Sequence, residues 1–279
     1  MSFRRRYAAN YRRPLALGLF CLVAWTILET TRIHSTLTRR PSVQAQSRDN
    51  IFIASIHWNN ERILRSHWIN AVLDLVRELG NDHVYISIQE SGSWDDSKGA
   101  LRYLDDQLEK LQVPRRIILD PTTHLDEIKK GPAEPGWIET PRNKVEIRRI
   151  SYLARLRNIA MEPLHELKSS GVTFDKVLFL NDVVFTTQDV RNLFATHDGD
   201  YAAACSLDFS QPPSFYDTFA LRDVEGGDAI MPAWPYFRAR GSRKALLANE
   251  DVPVRSCWNG MGALLSLIVL KWSRFWRPY

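Results

Sequence analysis

The sequence predicts an α/β fold, a mostly parallel sheet flanked by helices, with a signal-anchor helix at its amino end. Three observations carry this reading. Over residues 51–119, apolar runs of strand length alternate with stretches of helical apolar spacing in the order β-α-β-α-β, the pattern of a parallel sheet with crossover helices. Residues 175–185, DKVLFLNDVVF, hold four consecutive apolar side chains at 177–180, as a strand buried on both faces does. Ahead of the domain, residues 15–28 are apolar and uncharged behind Arg4, Arg5, Arg6, Arg12 and Arg13, as in an anchor with a cytoplasmic amino end.

Residues 1–14 form a basic tail. The apolar run of fourteen residues is short of the roughly twenty of a comfortable span, and no small-residue cleavage site follows it. An anchor in a thin early-secretory membrane, a cleaved signal and a buried helix are the uses open to such a run. Residues 29–50 are polar, with Pro41 and several Ser and Gln, and read as a stem or linker.

The domain is expected over residues 51–261. Residues 51–56 form the first strand, which delivers His57, Trp58, Asn59 and Asn60 at its end. A helix over 61–79 follows from the spacing of Ile63, Leu64, Trp68, Ile69, Val72, Leu73 and Val76, and stops near Gly80. A strand over 84–88, a helix over 97–111 and a strand over 116–119 complete the first half. Residues 120–147 hold four prolines and two glycines, a long loop of the kind that often carries function. A helix over 148–167 places Arg155 and Asn158 on one face with Arg157 beside them. After the central strand come a helix over 188–194 and a strand over 201–207. Residues 262–279 read as an atypical tail behind an incomplete domain, an apolar stretch closed by Lys271, Arg274 and Arg277.

The net charge of +5 is uneven: residues 1–48 carry +8 and the remainder −3. The basic balance therefore belongs to the tail and does not argue for nucleic acid as a partner. Of three cysteines, Cys21 lies in the apolar run; Cys205 and Cys257 either pair in an oxidising compartment or remain two buried thiols. Gly-x-Ser-x-Gly, His-Glu-x-x-His and the phosphate loop are missing. No glycine fingerprint follows the first strand, so the sheet is Rossmann-like without the dinucleotide site.

Asp182 and Asp208 each follow a strand, which puts both in the crevice where such sheets bind ligands. The only literal Asp-x-Asp, Asp198-Gly199-Asp200, precedes its strand and belongs to the opposite edge. The chemical reading of Asp182 is a ligand to Mn2+ or Mg2+ on a pyrophosphate; a turn or cap is its plain alternative. A nucleoside diphosphate leaving a sugar needs its charge neutralised, and a cation on Asp182 with Arg155 or Arg157 nearby suits that task.

The order FLNDVVF, YAAACSLDF, PPSFYDTFALRDVEG, WPYF and SCWNGM resembles the fungal α-1,3-mannosyltransferase family that includes the cryptococcal capsule-associated mannosyltransferases, over about residues 50–261. The resemblance implies a GT-A-like domain, GDP-mannose as donor, a divalent metal, retention of configuration and a glycan acceptor. It also implies a single-pass type II Golgi membrane protein with a lumenal domain. Asn181 and Asp182 then stand at the metal. His57 and Asn59 line the nucleotide pocket, and Arg155, Arg157 and Asn158 face the diphosphate. Asp208, Asp217 and Glu225 are the catalytic acids, with Asp208 first for its strand-end place, and Asp223 lies toward the acceptor. Trp234, Trp258 and Asn259 offer a sugar platform, since an aromatic face stacks on a pyranose. Solvated loop charge and core aromatics are the ordinary uses of these residue types. Retention proceeds through a carboxylate nucleophile or through same-face attack, and the sequence leaves both open. The unfamiliar carboxyl end adds an alternative: an inactive, truncated remnant that binds sugar or a partner.

Overall fold

The structure, a computed structural model, describes residues 4–38, 49–123, 126, 129, 137–141, 143–211, 214–216, 219–230 and 232–271. Helix α1 (Arg4–Thr38) contains Pro14–Thr31, eighteen residues long and apolar enough to cross a membrane, none of it buried against the rest of the protein.

Strands β1 (Ile51–His57), β2 (Val84–Ser91) and β3 (Arg115–Asp120) alternate with helices. The first crossover is α2 (Glu61–Ile63), a π turn at Leu64–Trp68 and α3 (Ile69–Leu79); the second is α4 (Ser97–Lys110). The hairpin of β4 (Trp137–Glu139) and β5 (Val145–Ile147) lies within the predicted long loop and leads to α5 (Arg149–Ser169). Then come β6 (Lys176–Leu180), α6 (Thr187–Phe194) and β7 (Ala203–Cys205). A smaller lobe holds β8 (Phe209–Gln211), β9 (Ser214–Phe215), β10 (Arg222–Asp223), α7 (Arg240–Leu247) and β11 (Val254–Ser256). The described chain closes with β12 (Met261–Leu265) and α8 (Ser266–Lys271).

The main sheet has six strands in the order β3-β2-β1-β6-β12-β7. β3, β2, β1 and β6 are parallel; β12 runs antiparallel to both β6 and β7. Alternating side chains of β6 serve two cores. Leu178 and Leu180 join the core that contains α3 and α4, while Val177 and Phe179 join Met161 and Leu164 of α5. β1 divides in the same way, Ile51 and Ile53 to one side and Phe52 and Ala54 to the other. A strand covered by helices on both faces needs an unbroken apolar run, which is what 177–180 supplies, at roughly 1.5–3 kcal/mol for each large side chain buried.

Two differences from the sequence reading have physical causes. β7 is shorter than residues 201–207, because the ladder with β12 covers only Ala203–Cys205; Ser206 meets the first residue of β12, Met261, through its hydroxyl as well as its amide. Residues 261–265, which overlap the expected tail, lie inside the sheet between β6 and β7, and α8 packs Val269 under β6. The described part of that tail is thus integral to the core; residues 272–279 lie outside the described residues.

Candidate functional site at the carboxyl edge of the sheet

The parallel strands deliver four loops to one edge: His57–Asn60 after β1, Ser91–Ser93 after β2, Asp120–Thr122 after β3 and Asn181–Asp182 after β6. β7 adds Ser206 and Asp208. The reversed β12 brings its own beginning there, so Trp258, Asn259 and Gly260 join the edge. Register confirms the alignment, with His57 opposite Glu90, Ser91 opposite Asp120, and Met261 opposite Leu180.

Asn60 organises the β1 loop. It stands at the N-cap of α2, but its side chain does not cap that helix. Its Oδ1 accepts from the Trp58 amide at 2.6 Å, and its Nδ2 donates to Asp182 Oδ2 at 2.6 Å. The Asn60 amide donates to Ser97 Oγ at 2.8 Å, and Ser97 Oγ donates to Asp95 at 2.6 Å. Asn59 sits in the left-handed region at φ 52°, which asparagine tolerates. Its amide donates to Ser93 Oγ, and its Oδ1 accepts from the Trp94 amide, both at 2.8 Å. Gly92, at φ 63°, lets the β2 loop pass against the Thr122 carbonyl, where a Cβ would collide.

The Asp182 carboxylate is exposed, yet the protein packed beside it raises its affinity for a proton above the ordinary carboxylate range; its own amide and Asn60 oppose this. Asn181 is fixed from three directions. Its amide donates to the Gly260 carbonyl at 2.8 Å, its Nδ2 to the Asn259 carbonyl at 3.1 Å, and its carbonyl accepts from Trp68 Nε1 at 2.8 Å. The Asn181 Nδ2 is thereby tied to the backbone of the β12 loop.

Asp208 is partly buried. Its Oδ1 accepts from Ser206 Oγ at 2.7 Å, and its Oδ2 from the Gly260 amide. Asn259 is 6% exposed, donates Nδ2 to the Ser206 carbonyl, and has no hydrogen-bond partner for its Oδ1 among the described residues. A disulfide joins Cys205 to Cys257 across 52 residues, with Cα atoms 6.4 Å apart, and ties the end of β7 to the loop that carries Trp258 and Asn259. Of the two states the sequence left open, the bonded one is found.

His57 is buried, 2% exposed, with Trp68 edge-on at 4.6 Å. Burial pushes its imidazole down to about 4, the Asn60 side chain opposing. Ser55 Oγ spends its one proton on the Leu180 carbonyl, so His57 Nε2 donates to Ser55 Oγ at 2.8 Å and Nδ1 is left as an acceptor. On the α5 side, Arg155 lines a cleft of about 190 Å³ with Ser91, Asp120, Thr122 and Tyr152. Arg157 lies over the Trp258 ring at 4.5 Å, and Trp258 packs on Phe179 at 5.0 Å. Asn158 is half-buried on the same helix.

The structure therefore brings His57, Asn59, Arg155, Arg157, Asn181, Asp182, Asp208, Trp258 and Asn259 to one edge. It places three of the expected residues in the smaller lobe. Asp223 is 1% exposed and accepts from the amides of Glu225, Gly227 and Ala239 at 3.1, 2.8 and 2.7 Å. Burial raises its proton affinity, but those amides and that of Arg238 outweigh it and hold the carboxyl below the usual range. With its oxygens so engaged, Asp223 knits its own loop. Glu225 is exposed in that turn, and Trp234 is 48% exposed against Tyr236 at 6.2 Å. Asp217 lies outside the described residues. Asp198-Gly199-Asp200 falls in the turn before β7, at the far edge. Asn60, Ser206 and Gly260 were not singled out from the sequence; the signal available was their place, at the two ends of loops that flank the strand-end acids.

Helices on both faces of a mostly parallel sheet define a doubly wound α/β protein, and amides and carboxylates collect where the strands end, the edge at which such sheets bind ligands. The chain belongs to the cryptococcal mannosyltransferase 1 family, whose model matches residues 50–275. No curated protein matches it. Among solved structures it is similar to a mannosyltransferase, PcManGT from Pyrobaculum calidifontis, in complex with GDP-Man and Mn2+. The identity is 13%, 70% of this chain and 47% of that one are covered, and the TM-score is 0.33. The chain thus spans about half the length of that structure.

Proposed function

We propose that this chain is a glycosyltransferase that moves a mannosyl group from GDP-mannose to a mannose-containing glycan, in α-1,3 linkage and with retention. The observation that carries the reading is that Asp182, held by Asn60, directly follows Asn181, whose side chain bonds the Asn259 carbonyl beside the Gly260 amide that binds Asp208, in a member of a mannosyltransferase family.

The oxygen donors present suit Mn2+ or Mg2+. Asp182 is a carboxylate at the crevice, and the buried Asn259 Oδ1 is an acceptor without a hydrogen-bond partner among the described residues. No group of three or more His, Cys, Asp or Glu gathers among the described residues; a cation on one carboxylate would take the rest of its shell from donor phosphates and water. We assign Asp182 as its carboxylate, with Asn181 placing that residue through the β12 loop. Such a cation, when bound, neutralises charge on the departing diphosphate. Arg155 supplies positive charge from α5, and Arg157 is braced on Trp258. Asn158 stands on the same helix, and His57, neutral near pH 7, and Asn59 shape the nucleotide side. Asp208 is the acid assigned to the transferred sugar, with Asp217 and Glu225 as further candidates. Asn259, bonded to Ser206 near Asp208, and Trp258 are assigned to the sugar, and Trp234 and Asp223 to an acceptor-side lobe. A lumenal Golgi location with α1 as anchor agrees with the Cys205–Cys257 disulfide, which needs an oxidising compartment.

The test is transfer from GDP-mannose to a mannose acceptor with Mn2+, run beside UDP-sugars and GDP-fucose. The expected result is turnover with GDP-mannose alone, lost in Asp182→Ala. Turnover that survives Asp182→Ala overturns the role given to that carboxylate. Absence of turnover in the wild-type chain overturns the enzymatic reading in favour of a binding role.

A further inference from the structure

Two indoles in the loops after β1 and β2 have no part in the core clusters. Trp58 is 46% and Trp94 65% exposed, and their rings meet edge to face at 5.5 Å, an arrangement that leaves ring faces open to solvent. They are held rather than loose. The Trp58 amide is bound by Asn60 Oδ1 and the Trp94 amide by Asn59 Oδ1, the latter from a residue in the left-handed region. Asn60 is the same residue whose other amide atom holds Asp182. One side chain thus fixes the position of Trp58 relative to the strand-end carboxylate.

The surroundings decide what such a pair suits. Glu61, Asp95 and Asp96 stand around it; Arg65 is paired with Glu61 and Asp96, and Lys98 turns inward to Glu90 at 3.0 Å. The rim carries more acid than base, so an anionic lipid surface is opposed by charge. Carboxylates and amides around an open aromatic face match a neutral pyranose, whose hydroxyls donate to the rim while its C–H face lies on the ring.

We infer that Trp58 and Trp94 form a subsite for a neutral hexose unit of the acceptor glycan. The identity of that glycan rests on the mannosyl-transfer reading; the existence of a sugar subsite does not. Stacking faces that hold only the acceptor add affinity for it and not for the donor, so their loss is expected to act on acceptor binding.

The experiment uses the full chain with mannotriose as probe and no donor, read by saturation-transfer NMR and calorimetry. Trp58→Ala and Trp94→Ala are each expected to weaken mannotriose binding several-fold, and the double variant by about tenfold or more. Trp58→Phe is expected to recover part of the loss. GDP binding and the thermal midpoint should stay at wild-type values, which shows that the variants fold. In transfer assays the acceptor KM should rise while the KM for GDP-mannose holds. Mannotriose binding that is unchanged in the folded double variant overturns the inference. So does a loss of GDP binding, which would make the pair a donor site, or a loss confined to co-sedimentation with lipid vesicles, which would make it a membrane contact. Because the binding arm needs no turnover, a failed transfer assay with tryptophan-dependent mannotriose binding refutes the proposed reaction and leaves the subsite standing.

Discussion

Gly260→Ala tests how the strand-end loops are locked together. The Gly260 amide binds Asp208, and its carbonyl accepts from Asn181. A Cβ there would stand 2.8 Å from Asp208 Oδ2 and 3.0 Å from Val183 Cβ, and closer still to Val183 Cγ1, whereas ordinary contact begins at 3.4 Å. Neither neighbour is the free end of a long side chain. Val183 follows Asp182 directly, and Asp208 is engaged through both oxygens. Relief therefore requires one of the two acidic loops to move. Overpacking of this kind costs about 1–3 kcal/mol, and a domain of this size loses about 2–4 °C of melting temperature for each kcal/mol. The functional loss should exceed the stability loss, since a displacement near 1 Å at a reacting centre costs about 100-fold in rate. Val183→Ala alone should be mild, and in the double variant it should return part of the lost stability by removing the nearest methyl. Differential scanning fluorimetry and GDP-mannose turnover read both effects. A Gly260→Ala protein with unchanged melting and unchanged turnover would refute the packing argument.

Three further outcomes are expected. The buried neutral His57 makes stability fall with acid: its contribution is whole above the ordinary value of 6.5 and is lost as pH falls toward about 4, a total of roughly 3 kcal/mol at about 1.4 kcal/mol per unit; urea titrations of wild type and His57→Gln should show that slope only in the former. Asp223→Ala should strip buried amides of their acceptor and cost about 2–5 kcal/mol, with GDP affinity unchanged in the folded fraction at lower temperature. Cys205→Ser with Cys257→Ser should cost about 2–4 kcal/mol and loosen the Asn259 loop, seen as faster hydrogen exchange at residues 257–260 than at β1.

The half of the fold that repeats β-α was legible because each element declares its own period. The run at 177–180 needed only its length and apolarity, and the acids after strands needed only chain direction. The reversed strand was hidden for the opposite reason. Residues 261–270 form one apolar stretch, and periodicity does not separate a five-residue buried strand from the helix turn that follows it; the partners β6 and β7 decide, and they are distant in sequence. Asn60 was invisible as a site residue because an asparagine before a helix reads as a cap, while its actual partners, Trp58 and Asp182, are set by tertiary structure. The burial of Asp223 was hidden for a related reason. An acid in a polar loop reads as exposed, but its neighbours' amides turn inward and bury it.

Calorimetric titration of GDP-mannose in the presence and absence of Mn2+, on wild type and on Asp182→Ala, bears most directly on the assignment of Asp182. Donor binding that requires the cation and weakens by at least about tenfold without the carboxylate is the expected result. Binding of equal strength in both proteins, or binding indifferent to Mn2+, would contradict it.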